Sequence, residues 1–233
     1  MSPSVSLSDP KWTPWIPSLL QRLREGEAVL HGAVVSPPAG EPQLRWPSAV
    51  ALIGPSGSGK STVARRLVLQ GWTLLADDLS TLRLSAEPTA APDPGVGIEP
   101  EEVGPGVQWC ADFLATTEST TTESTTTEST TAAGSPRPLV ACLALASTDS
   151  PWAQPSPSRL HGAEALATAF AALAGTRALT QEESSLALDA AGRIAHAVAI
   201  YRWELPRGGC TAAAERLDSS WHQLAPRRQG GSP

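Results

Sequence analysis

The chain has 233 residues, 41% of them hydrophobic, enough to bury the core of one large domain or of one domain with appendages. Its formal net charge is −6, and no patch of Lys and Arg offsets it, which argues against general binding of nucleic acid or of an anionic membrane. The three cysteines, Cys110, Cys142 and Cys210, are scattered and suggest neither a disulfide framework nor a CxxC metal site. No stretch approaches the roughly 18 to 20 apolar residues of a membrane span, and the N-terminus lacks a basic segment followed by an apolar run. A reducing cytoplasm is the expected location.

Residues 1–28 read as an arm plus a short helix. Pro17 suits a first helical turn, Leu19, Leu20 and Leu23 make one apolar face, Gly26 ends it, and Trp12 and Trp15 are expected to pack beneath. Val29 to Val35 is the first strand and carries His31. Taken alone, a histidine on an apolar strand reads as structural. Prolines 37, 38 and 47 with Gly40 then mark a loop over 36–48.

Ala49 to Asp78 is the stretch around which the chain is organised. Ala49 to Ile53 reads as a buried strand. The loop Gly54-Pro55-Ser56-Gly57-Ser58-Gly59-Lys60-Ser61 satisfies G-x-x-x-x-G-K-[ST], and Val63, Ala64, Leu67 and Val68 fall at helical spacing after it. Glycines at 54, 57 and 59 let successive backbone N–H groups turn toward a phosphate, and the helix adds its positive N-terminal end. Lys60 would reach the β- and γ-phosphates of a nucleotide, the Ser61 hydroxyl would ligate Mg²⁺, and Thr62 completes the binding run. Lys60 is one of only two lysines against fifteen arginines. Gly71 closes the helix, and Trp72 to Ala76 is expected to deliver Asp77 and Asp78 to a strand end in an open sheet. There one carboxylate would serve the metal and the other would take a proton from an attacking hydroxyl.

These residues resemble the catalytic core of the HPr kinase/phosphorylase family and its shorter kinase-like paralogues. The likeness rests on the loop Gly54 to Ser61, on Leu67 and Gly71, and on Leu74-Leu75-Ala76-Asp77-Asp78 at the family's distance from the lysine. Upstream, Leu30-His31-Gly32-Ala33-Val34-Val35 is similar to the His-Gly strand that precedes the family's loop. The resemblance implies Asp77 as base or acid toward the phosphorylated hydroxyl, His31 supporting it, and Asp78 near the metal. It also implies a downstream acidic metal ligand, for which Glu99 in Gly95-Val96-Gly97-Ile98-Glu99 is the candidate. The family's signature linked to dephosphorylation is not recognisable.

Beyond Asp78, Leu79 to Leu84 reads as another strand before a breaker-rich tract over 86–106. Thr116 to Thr131 is the tandem repeat TTESTTTESTTTESTT, with Glu118, Glu123 and Glu128 at a period of five that fits neither helix nor strand. With no apolar side chain to bury, it reads as a disordered insertion, placed at 116–137. Pro138 to Ala146 resumes the sheet. Arg159 and His161, in a Pro/Ser-rich loop, are candidates for reaching phosphate. A helix follows over Gly162 to Gly175 with Leu166, Phe170 and Leu173 toward the core. A second covers Leu186 to Val198, a strand runs over 198–205, and a last helix spans Thr211 to Leu224 before a tail at 225–233.

The expected fold class is therefore α/β, with residues 29–224 forming a P-loop-containing core whose central, mainly parallel or mixed sheet is flanked by helices. The resemblance likens it to the C-terminal domain of HPr kinases. The expected activity is an ATP- and Mg²⁺-dependent kinase acting on a hydroxyl, serine foremost, of a protein or peptide acceptor. A homo-oligomer is compatible with this. The alternatives are another P-loop small-molecule kinase or ATPase, and a nucleotide-binding regulatory module without transfer activity.

Overall fold

The computed structural model describes residues 13–38, 48–84, 106–112, 136–149, 157–206 and 208–224. Among them, seven strands form one mixed sheet flanked by helices. The repeat, the Glu99 region and Trp12 lie outside the described residues.

Helix α1 (Ile16–Arg24) follows a 3-10 turn at Thr13–Trp15 and buries Leu19 and Leu20. Gly26, at φ 78°, turns the chain into strand β1 (Glu27–Ser36). Trp15, expected beneath the helix, is instead 36% exposed, since the apolar face of α1 is already filled by Leu19 against Val29, Leu79 and Ala174. Strand β2 (Ala49–Ile53) is buried at every residue, as a strand covered on both faces must be. The glycine-rich loop leads into α2 (Lys60–Leu69), which buries Val63, Ala64 and Leu67.

Strand β3 (Thr73–Leu84) corrects two expectations. It is one strand of twelve residues, and Asp77 and Asp78 lie inside it rather than at its end. Antiparallel pairing with β1 runs from Ser36↔Thr73 to Glu27↔Arg83, so nothing ends the strand at the aspartates. Strand β4 (Val107–Asp112), which the sequence did not suggest, pairs antiparallel with β3. Strand β5 (Arg137–Thr148) pairs in parallel with β2 and with β7 (Ala199–Pro206), and the two-residue β6 (Ser158–Arg159) lies antiparallel along β7. The order is β2-β1-β3-β4-β5-β7-β6, with the β2–β5 pairing closing a circuit through β1, β3 and β4.

Helices α3 (Gly162–Ala172) and α4 (Gln181–Ala197) belong to one core cluster, and α2 and α5 (Cys210–Leu224) to the other. The alternation of β2 divides its side chains between the two, Ala51 and Ile53 in the first and Val50 and Leu52 in the second. On α3 the buried residues are Ala165, Ala169 and Ala172, while Leu166 and Phe170 are partly buried at the margin, because small side chains let the helix lie close. In the second cluster Trp72 and Trp221 meet edge to face, centroids 5.6 Å apart, and Trp72 Nε1 donates to Asp218 Oδ1 at 2.7 Å. Cys142 is fully buried in the first cluster, and burial pushes its thiol up to about 12.

Helix α4 begins earlier than its apolar pattern suggests because of a capping box. Thr180 Oγ1 accepts from the Glu183 backbone N–H, and the Thr180 N–H donates to Glu183 Oε2 at 2.8 Å. These bonds hold the Glu183 carboxyl below its usual range. Thr180→Ala should cost about 1 kcal/mol, lowering the melting temperature by about 2 to 4 °C. The Glu183 contribution is present above the ordinary carboxylate range and is lost as pH falls through the depressed value, so Glu183→Ala, which removes the carboxylate that the Thr180 N–H holds, should approach wild type in acid, as read by thermal denaturation across pH.

Candidate functional site

The site is assembled where β1 lies between β2 and β3. Gly32 is paired with Ile53 on one side and with Asp78 on the other, and Ala33 with Leu52 and Asp77. The end of β2, from which the glycine-rich loop springs, thereby sits one strand away from the two aspartates. A side chain at Gly32 would collide with the Leu52 carbonyl oxygen, and a backbone atom of a central strand cannot move aside. Glycine here permits the close approach.

Adjacent residues on a regular strand point to opposite faces, yet Asp77 and Asp78 both line one cleft. The break in alternation is at Asp78, whose φ of 114° is the one positive φ of a non-glycine residue among those described. Such a conformation is strained for a side chain bearing a Cβ. The cleft has a volume of about 290 Å³. Besides the aspartates it is lined by His31, Gly32 and Ala33 of β1 and by Ser56, Gly57, Gly59, Lys60, Ser61 and Thr62 of the loop and α2. Gly54, Pro55 and Ser58, also expected to bind the nucleotide, do not line the cleft.

Helix α2 opens on Gly59, at φ 94°, with no side-chain cap and no acid in its first turn. A Cβ at Gly59 would come within 2.6 Å of Cys210 Sγ, where the start of α5 abuts the loop. An uncapped helix start facing a cleft presents N–H groups and a partial positive charge, which suits an anion. Lys60 Nζ donates to the carbonyl oxygens of Gly54 and Pro55, 2.9 Å each, which lays the ammonium along the loop.

The carboxylates are differently engaged. Ser61 Oγ donates to Asp77 Oδ1 at 2.7 Å, whereas His31 Nε2 lies 3.0 Å from Asp78 Oδ1. The ion-pair contact of His31 is to Asp78, the neighbour of the Asp77 that the resemblance implies it supports. The sequence did not point to Arg65, whose Nη2 is 3.8 Å from Asp77 Oδ2. Its spacing of four from Ser61 on a helix was the available signal. Ser61 Oγ and Asp77 Oδ1 together are a pair of hard oxygen donors of the kind Mg²⁺ takes. Among the described residues no group of three or more His, Cys, Asp and Glu forms a metal cage. Of the other phosphate candidates, Arg159 lies over the Tyr201 ring, 5.9 Å from its centroid, and His161 is exposed before α3; neither lines the cleft.

Two substitutions test this construction. Gly32→Ala should destabilise the fold by about 3 kcal/mol through overpacking. Asp78→Gly should stabilise it by about 1 kcal/mol, because relief of backbone strain exceeds the lost exposed contact to His31 and the entropy of the added glycine. Chemical denaturation reads both, and a less stable Asp78→Gly would show that the His31 contact outweighs the strain.

Among the described residues no helix is long and apolar enough to cross a membrane. No protein-family model matches the chain, and no curated protein does.

Proposed function

We propose that the chain is an ATP- and Mg²⁺-dependent phosphotransferase of the HPr-kinase-like group, with the glycine-rich loop as its P-loop and a hydroxyl as its acceptor. The observation that carries this reading is the convergence of an uncapped, glycine-entered helix start with two carboxylates, one bonded to Ser61 and the other to His31, around one cleft. Phosphoryl transfer demands chiefly positioning and charge neutralisation, and this set supplies both.

In this reading the loop N–H groups hold the triphosphate, and Lys60 exchanges the Gly54 and Pro55 carbonyls for phosphate oxygens. Ser61 and Asp77 are the residues that would hold Mg²⁺, which when bound offsets the charge of the β- and γ-phosphates. The pairing divides the two aspartates differently from the resemblance: Asp77 goes with the metal arm, and Asp78, held by His31, receives the proton. The acceptor oxygen forms a bond to the γ-phosphorus as that phosphorus parts from the β–γ bridging oxygen. ADP leaves with the bridging oxygen, and the hydroxyl proton passes to an Asp78 carboxylate oxygen.

Purified protein should bind a fluorescent ATP analogue in the presence of Mg²⁺, and Lys60→Ala should weaken that binding by about tenfold or more. With labelled ATP and a set of serine peptides or a lysate, wild type should label an acceptor. Asp78→Asn should lower labelling about a hundredfold while nucleotide affinity stays within about threefold. Phosphate release without a labelled acceptor would replace the kinase reading with an ATPase, and binding without turnover would replace it with a regulatory module.

A further inference from the structure

We propose that Arg65 is a positioning residue of this site: it neutralises Asp77 in the absence of metal and gives up that carboxylate when Mg²⁺ and nucleotide bind. The inference rests on the phosphate-loop reading above and adds a residue to it.

Asp77 is held from two directions. Its Oδ1 accepts the Ser61 hydroxyl at 2.7 Å, and its Oδ2 faces the Arg65 guanidinium at 3.8 Å. Ser61 and Arg65 are four residues apart on α2, so one helix face sets both partners of the carboxylate. The strengths of the two contacts differ. The Ser61 bond is short and partly buried, whereas Arg65 is 76% exposed and its contact is long. An ion pair of that kind is worth little and is readily exchanged.

Electrostatics then gives the role a sign. Without a cation, Asp77 faces incoming phosphates as a bare negative charge unless Arg65 offsets it. With Mg²⁺ present the carboxylate is already neutralised, and Arg65 contributes less. The guanidinium therefore supports metal-free nucleotide binding more than metal-bound binding. By linkage, removing its charge increases the extent to which Mg²⁺ and nucleotide favour each other.

The test uses the full chain and a fluorescent ATP analogue, measuring Kd in EDTA and in excess Mg²⁺. The ratio of the two is the metal enhancement. Arg65→Gln should raise this ratio about threefold or more, mostly by weakening binding in EDTA, while Arg65→Lys should stay near wild type. The difference should shrink in about 0.5 M KCl, where exposed charges are screened. A merely structural role would weaken both arms alike and leave the ratio unchanged, and an unchanged or lower ratio in Arg65→Gln overturns the proposal. Circular dichroism confirms that the variants are folded. If wild type binds the analogue in neither condition, the phosphate-loop reading fails first and takes this inference with it. Wild-type binding with an unmoved ratio sinks the Arg65 role alone.

Discussion

Gly32 sits between Ile53 and Asp78 in one row of the sheet, and its lack of a side chain lets β1 lie against the Leu52 carbonyl. That single tolerance sets the distance between the glycine-rich loop and the aspartates. A bulkier residue would push β1 from β2, and the Ser61–Asp77 bond, which spans from α2 to β3, would open with it. The chemistry proposed for the cleft thus depends on backbone packing in the middle of the sheet, at a residue that brings no functional group of its own to the cleft it lines.

The second constraint is charge. Two neighbouring carboxylates repel one another and any phosphate brought near them. The cleft answers with several partial remedies instead of one strong ion pair: the start of α2, Lys60 folded along the loop, His31 against Asp78 and Arg65 against Asp77. Each is accessible to solvent to some degree, so each can exchange partners at modest cost. A site built of exchangeable contacts is suited to a ligand that brings its own cation.

How much was legible in the sequence follows from how local each feature is. Strand β2, the loop and α2 were readable because their signals lie within some twenty consecutive residues: an apolar run, spaced glycines, helical periodicity. The ends of β3 were not, since its length is set by pairing with β1, some forty positions upstream in the chain. Strand β4 carries Gln108 and Asp112 among its six residues and is recognisable as a strand only once β3 is beside it. The Asp78–His31 pairing depends on a backbone reversal of alternation that no residue type announces, aspartate being common in ordinary strands and turns alike. By contrast the Thr180–Glu183 box was written in plain local form and could have moved the start of α4 five residues earlier.

The circuit of pairings through β2, β1, β3, β4 and β5 has a consequence for how the molecule behaves in company. Among the described residues each of those strands has a neighbour on both flanks over at least part of its length, and beyond β7 lie only the two residues of β6. A run of unsatisfied amide and carbonyl groups is what recruits foreign chains into intermolecular ribbons, and a stub of two residues offers little template for that. Among the described residues the open backbone is confined to parts of strands, β3 before Ser80 on its β4 side and β7 beyond Tyr201 and Arg202 on its β6 side, and pairing between copies would start there.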